Sequence, residues 1–309
     1  STLDRSSAAS DVYKRQVFAA ALAGEEAVGQ LPWERFVVDP EPGPVPPDAL
    51  REVADLGGGL YLATPRSYVE RGGKIFKTQG MCVAEALNKS IYLADPYRRP
   101  SDLAKALTRF NKVIGVDVGG DVLGAGCEDA LRSPLSDAYG LAVLAKAEEA
   151  GVEAEIWVMS PGADGELGRD YLLQRVAEAA RVGALLGSVG LGRAQLGVLA
   201  SLVGRCVTEA SAVAVRAFRG EHGLATLRGG TRQVVVDACA LVGFRFDPSA
   251  LLALNKAARL IYEYDSPIDE AAEILLAHGI PTELHLERLL AKGMALGDAV
   301  EELKKMKRC

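Results

Sequence analysis

The stretch Val113–Gly126, VIGVDVGGDVLGAG, decides how this chain is read. Val113 to Val118 is a short β-branched, apolar run of the kind that forms a buried strand. Asp117 stands near its end, where a carboxylate is costly in an apolar interior unless it is paired or bound. Gly119 and Gly120 follow, and two missing Cβ atoms let main-chain N–H groups approach an anion closely. Asp121 returns a second carboxylate just beyond. Two acids bracketing a glycine pair at a strand's end suit Mg2+ or a sugar hydroxyl. A turn whose Asp caps backbone amides would carry the same letters.

On either side of it, GLYLATP, SIYLADP and EAEIWVMSPG are further short apolar runs that end in Pro or Gly. Between them lie the helical patterns MCVAEALNK, SDLAKALTRFNK and SPLSDAYGLAVLAKAEEAG. This alternation predicts an α/β fold: a Rossmann-like, mainly parallel sheet with helices on both faces. In such folds a ligand sits beyond the carboxyl ends of the strands. Residues 17–28 read as a helix, WERFVVD (33–39) as a strand, and PEPGPVPPD as a rigid loop. Residues 169–190, 192–204 and 208–220 read as helical, and ATLRGGTRQVVVD as a hairpin turning at Gly229 and Gly230. The expected organisation is an α/β ligand-binding domain over 17–240 and a helical C-terminal cap over 241–309.

Three further segments offer site residues. In RSPLSDA, Ser133 is a good N-cap and Pro134 fits the first helical position. The positive end of that helix should face the same cleft and favour phosphate or carboxylate. Asp137, in its first turn, either joins the site or stabilises the helix. SPGADGELG (160–168) follows a strand, and its Asp164 and Glu166 either add carboxylates or shape a turn. It matches neither a Walker loop nor a dinucleotide fingerprint. VTEASAVAVR supplies Thr208, Glu209 and Ser211, ligand-binding candidates that simple capping also explains.

A net charge of −6 argues against nucleic acid as the main partner. The basic cluster KKMKR (304–308) reads as a solvated helix end. No apolar stretch reaches the roughly 20 residues that span a bilayer, so no membrane partner is expected. Five cysteines without a CxxC and only three histidines argue against a zinc cage, and free thiols in a cytoplasmic protein fit best. His278 and His285 read as surface residues around a turn. The helical tail offers a face for a homodimer.

The opening STLDRSSAASDVYKRQ has neither the order of a signal peptide nor the apolar face of a presequence. It looks, residue for residue, like the in-frame translation of a transposase-type sequencing adapter. Residues 1–16 are therefore expected to be adapter-derived, the gene to come from fragmented environmental DNA, and the native terminus to lie upstream of Val17. Together, WERFVVDPEPGP, GVDVGGDVL, RSPLSDA, GADGEL and TEASA resemble the family catalogued as domain of unknown function 1152, common in archaea and some bacteria. The likeness runs from about Val17 to Glu283. It implies no activity to carry over. Members usually begin with a strand and a glycine-rich turn closed by Asp, so the resemblance implies that this chain is truncated.

The resulting expectation is an enzyme that binds a nucleotide or other phosphorylated or carboxylated metabolite. Asp117 and Asp121 would hold Mg2+ and act as catalytic groups, and the chemistry stays open between transfer, hydrolysis and lyase reactions. The alternative is a non-catalytic metabolite-binding or regulatory module.

Overall fold

The computed structural model describes residues 15–23, 27–34, 36–206, 208–227, 230 and 232–308. Most of the 1–16 segment lies outside them, but Arg15 and Gln16 open the first helix, α1 (Arg15–Ala23). The expected core strands are present as β6 (Lys112–Val118) and β7 (Glu153–Met159), paired in parallel from Lys112↔Glu153 to Val118↔Met159. Their side chains alternate between faces, as strand geometry requires. Ala154, Ile156 and Val158 pack beneath the helix α4 (Pro134–Glu149). Val116, Val118, Trp157 and Met159 turn the other way, into a cluster with Val17 and Phe18 of α1. That second cluster also takes Leu196 and Leu199 of α6 (Arg193–Val203) and Ala210 and Ala214 of α7 (Glu209–Phe218). Helices thus cover both faces. Helix α4 lies close because Gly115 sits under it: a Cβ there would meet Leu144 Cδ1 at 2.6 Å.

The fold is mixed α/β, but its sheets depart from a mainly parallel plan. The sheet of β6 and β7 runs β6-β7-β11-β8, where β11 (Val242–Phe246) is antiparallel to both β7 and β8 (Leu185–Gly190). A second sheet joins β1 (Gly29–Gln30), β2 (Leu50–Asp55), β3 (Leu60–Arg71), β4 (Lys74–Phe76) and β5 (Ile91–Ala94). Within it only β1 and β5 pair in parallel, among the described residues. The predicted hairpin forms, as β9 (Gly223–Leu227) against β10 (Arg232–Val236). Gly229 lies outside the described residues, and Gly230 takes φ +94°.

Several expectations change; α1, expected over 17–28, ends at Ala23, and residues 27–28 are not helical. Residues 185–190 are strand rather than helix, because Gly183 (φ +78°) ends α5 (Arg169–Arg181) two residues earlier. Residues 242–246, read as part of the helical tail, are strand β11; helices α8 to α12 follow it, over 248–251, 256–264, 268–277, 283–291 and 296–306. The described residues of WERFVVD form turns and irregular backbone. Trp33 is drawn away to donate its indole N–H to Glu287 Oε2 at 3.1 Å. Finally, Cys82 and Cys206 form a disulfide, where free thiols were expected, and Cys127 is disulfide-bonded too; Cys239 is free. The Cys82 bridge ties α2 (Gln79–Leu87), which lies on the second sheet, to the end of α6.

Candidate functional site

The carboxyl ends of β6 and β7 carry a group of buried acids. Asp117, at 1% exposure, accepts the Val122 N–H on Oδ2 at 3.0 Å. That bond closes the loop through Gly119 and Gly120 into a 3-10 turn over Asp121–Leu123. Asp121 Oδ2 accepts the Ser133 hydroxyl at 3.0 Å, which fastens the turn to the start of α4. From β7, Asp164 accepts the Glu166 N–H at 3.0 Å. Glu166 accepts the Arg132 N–H at 2.8 Å and pairs with the Arg232 guanidinium of β10 at 3.2 Å. Asp117, Asp121, Ser133, Asp137, Asp164 and Glu166 are all buried around these turns.

The glycine pair has a packing purpose of its own. Gly119 has φ +118° and its missing Cβ makes room for the Asp164 carboxyl, with which a methyl would collide. Gly119 N–H already donates to Met159 O at 3.0 Å, and its carbonyl accepts the Gly162 N–H at 2.7 Å. Gly120 (φ +111°) packs against Leu172 and Val158. Both glycines therefore answer backbone strain and packing. They let two acidic loops touch.

The amino end of α4 is also engaged. Ser133 occupies the cap position without a capping bond of its own. The Leu135 and Ser136 N–H groups instead donate to the Glu283 carboxyl, at 3.0 and 2.9 Å. Glu283 begins α11 (Glu283–Ala291), and burial pushes its pKa up to about 8 despite those two bonds. One turn on, Glu287 accepts from Trp33 and, at 2.8 Å, from the Gly43 N–H, pinning the proline-rich loop. His285 between them is buried, not a surface residue, and forms a capping box with Thr282.

Thr208, Glu209 and Ser211 lie at the start of α7, where the Thr208 hydroxyl accepts the Ser211 N–H at 3.4 Å. That is the capping role their spacing allowed. Helix α7 reaches the acidic loops through Val213, which shares a small cluster with Ala163. Sequence reasoning missed Glu283, Arg232 and Glu128. Glu128 holds the 124–133 loop by accepting the Ala125 and Gly126 N–H groups at 2.6 and 3.0 Å and the Tyr171 hydroxyl. Burial opposes its charge, but the Tyr171 and backbone hydrogen bonds outweigh it and hold its carboxyl below the usual range.

Among the described residues, no group of three or more His, Cys, Asp or Glu side chains is arranged to hold a metal ion. Asp117 and Asp121 remain oxygen donors of the kind Mg2+ takes, since that ion commonly uses one or two carboxylates and completes its shell with water and phosphate. No described helix is long and apolar enough to cross a membrane. Comparison with curated proteins and with solved structures gives no match. A family model does match, over residues 10–291, and it covers every segment of the acidic group. The chain belongs to that family, described as Protein of unknown function (DUF1152).

Proposed function

We propose that this protein is an enzyme acting on a small anionic metabolite, a nucleotide or another phosphorylated or carboxylated compound. It binds that metabolite through Mg2+ at the carboxyl ends of β6 and β7. What supports the reading is one observation: buried carboxylates from two strand-end loops, Asp117 and Asp121 on one and Asp164 and Glu166 on the other, converge there. Clustered buried carboxylates stabilise a cation and repel a bare anion, so an anionic ligand would enter with its counter-ion. Asp117 and Asp121 would hold the metal, which when bound polarises a phosphoryl or carbonyl oxygen. Ser133 orients Asp121, and Asp164 fixes the loop that carries Glu166. The Rossmann-like element of this reading is confined to the parallel β6–β7 pair and its flanking helices.

The test is a thermal-shift screen of nucleotides and sugar phosphates, with and without Mg2+, followed by a turnover assay of each hit. A ligand at a hundredfold its Kd adds about 2.7 kcal/mol of stability, a readily seen rise in Tm. We expect the rise to require Mg2+ and to vanish in Asp117→Asn and Asp121→Asn. Binding without conversion would make the protein a regulatory module. Binding untouched by either variant would remove the site.

A further inference from the structure

The basic tail ends differently from a solvated helix terminus. Lys304 and Lys305 are exposed and pair with Glu301 and Glu302 on α12 (Leu296–Met306). At Lys307 the backbone leaves the helix for an extended conformation, and its side chain turns inward. Its ammonium donates to the Glu128 carbonyl and, at 2.9 Å, to the Leu131 carbonyl. Arg308 follows, its N–H donating to Gly279 O at 3.1 Å. Gly279 (φ +78°) has no room for a side chain there, since a Cβ would meet three Arg308 atoms at 3.0 Å. Helix α12 itself rests on Leu286 through Ala299, Val300 and Leu303, a satellite cluster apart from the main core.

What Lys307 grips is the loop 124–133. That loop ends in Arg132, bonded to Glu166, and Ser133, bonded to Asp121. The ammonium stands among the charges of Asp129, Glu128, Glu166 and Arg132, and burial lowers its pKa. Both α12 and Lys307 lie beyond the residues matched to the family. We propose that residues 296–308 are a latch that holds the 124–133 loop shut over the acidic group, with the Lys307 ammonium supplying positive charge on the Glu166 side of that group until a divalent cation loads the site. The regulatory half of this proposal rests on the cation reading given above; the mechanical half does not.

The experiment compares full-length wild type, Lys307→Met and Lys307→Arg by hydrogen exchange, all in dithiothreitol so that the Cys127 disulfide does not hold the loop. Loss of two charge-assisted hydrogen bonds should speed exchange across 124–133 by about tenfold in Lys307→Met. Exchange in the second half of α4 should stay unchanged, and Lys307→Arg should protect the loop nearly as wild type does. Equal exchange in all three overturns the latch, whatever the chain does with Mg2+. Titration with Mg2+ alone then reads the regulation, with a severalfold tighter Kd expected for Lys307→Met. Equal, measurable affinities in a variant whose loop has loosened overturn the regulatory half. A loosened loop with no Mg2+ binding in any variant supports the mechanical latch and retires the cation reading.

Discussion

Glu283 and Glu155 are both buried acids, yet they titrate in opposite directions. Burial pushes Glu283 up to about 8, so it is mostly neutral at pH 7 while it receives the amino end of α4. A carboxyl whose folded pKa is raised stabilises the fold fully below its unfolded value and loses that contribution as pH rises through about 8. Melting at pH 6 and pH 9 should therefore show a drop in Tm for wild type, and a smaller one for Glu283→Gln. In Glu155, burial also opposes the charge, but hydrogen bonds from Arg245, Lys112 and Trp157 outweigh it and bring the pKa down to about 2. Its contribution is present above the ordinary value near 4.5 and disappears as pH falls toward 2. Glu155→Gln should cost about 1–3 kcal/mol in urea denaturation at pH 7 and almost nothing near pH 2. Gly119→Ala belongs to the same scale. It must tolerate φ +118° and displace Asp164, so a loss of about 2 kcal/mol or more is expected by the same assay.

At the scale of elements, Thr208 separates a capping role from a binding one. Thr208→Ala should lower stability by about 1 kcal/mol and leave any Mg2+-dependent ligand shift intact; a lost shift would return α7 to the site. The elements that the sequence revealed were those with strong local signals. β5, β6 and β7 are apolar runs stopped by Pro or Gly, and α2 and α7 carry Thr caps. β8 was hidden because LLGSVG follows an amphipathic helix with only Val182, Gly183 and Ala184 between them. β11 was hidden because its partners, Met159 and Val189, lie more than fifty residues upstream. The acidic group was half legible. Asp117, Asp121, Asp164 and Glu166 come from strand-end loops, where a local rule points. Glu283 was not, because its partners on α4 are 147 and 148 residues away. Nor could the capping pattern at Ser133 show that the Leu135 and Ser136 N–H groups behind it are taken by that distant carboxyl.

Over the whole molecule, the Cys82–Cys206 bridge closes a loop of 124 residues that contains β5, β6, β7 and α4. By restricting the unfolded chain, such a link contributes about 2–4 kcal/mol. Cys82→Ser, which spares the Cys127 disulfide, should lower the urea midpoint accordingly. The main core shows why the tail belongs with the sheet: Ile261 and Leu275 share one cluster with Leu144 and Ile156. A protease that nicks any peptide bond between Cys82 and Cys206 produces two pieces still joined through sulfur. They should migrate together on a non-reducing gel and part only when thiol is added.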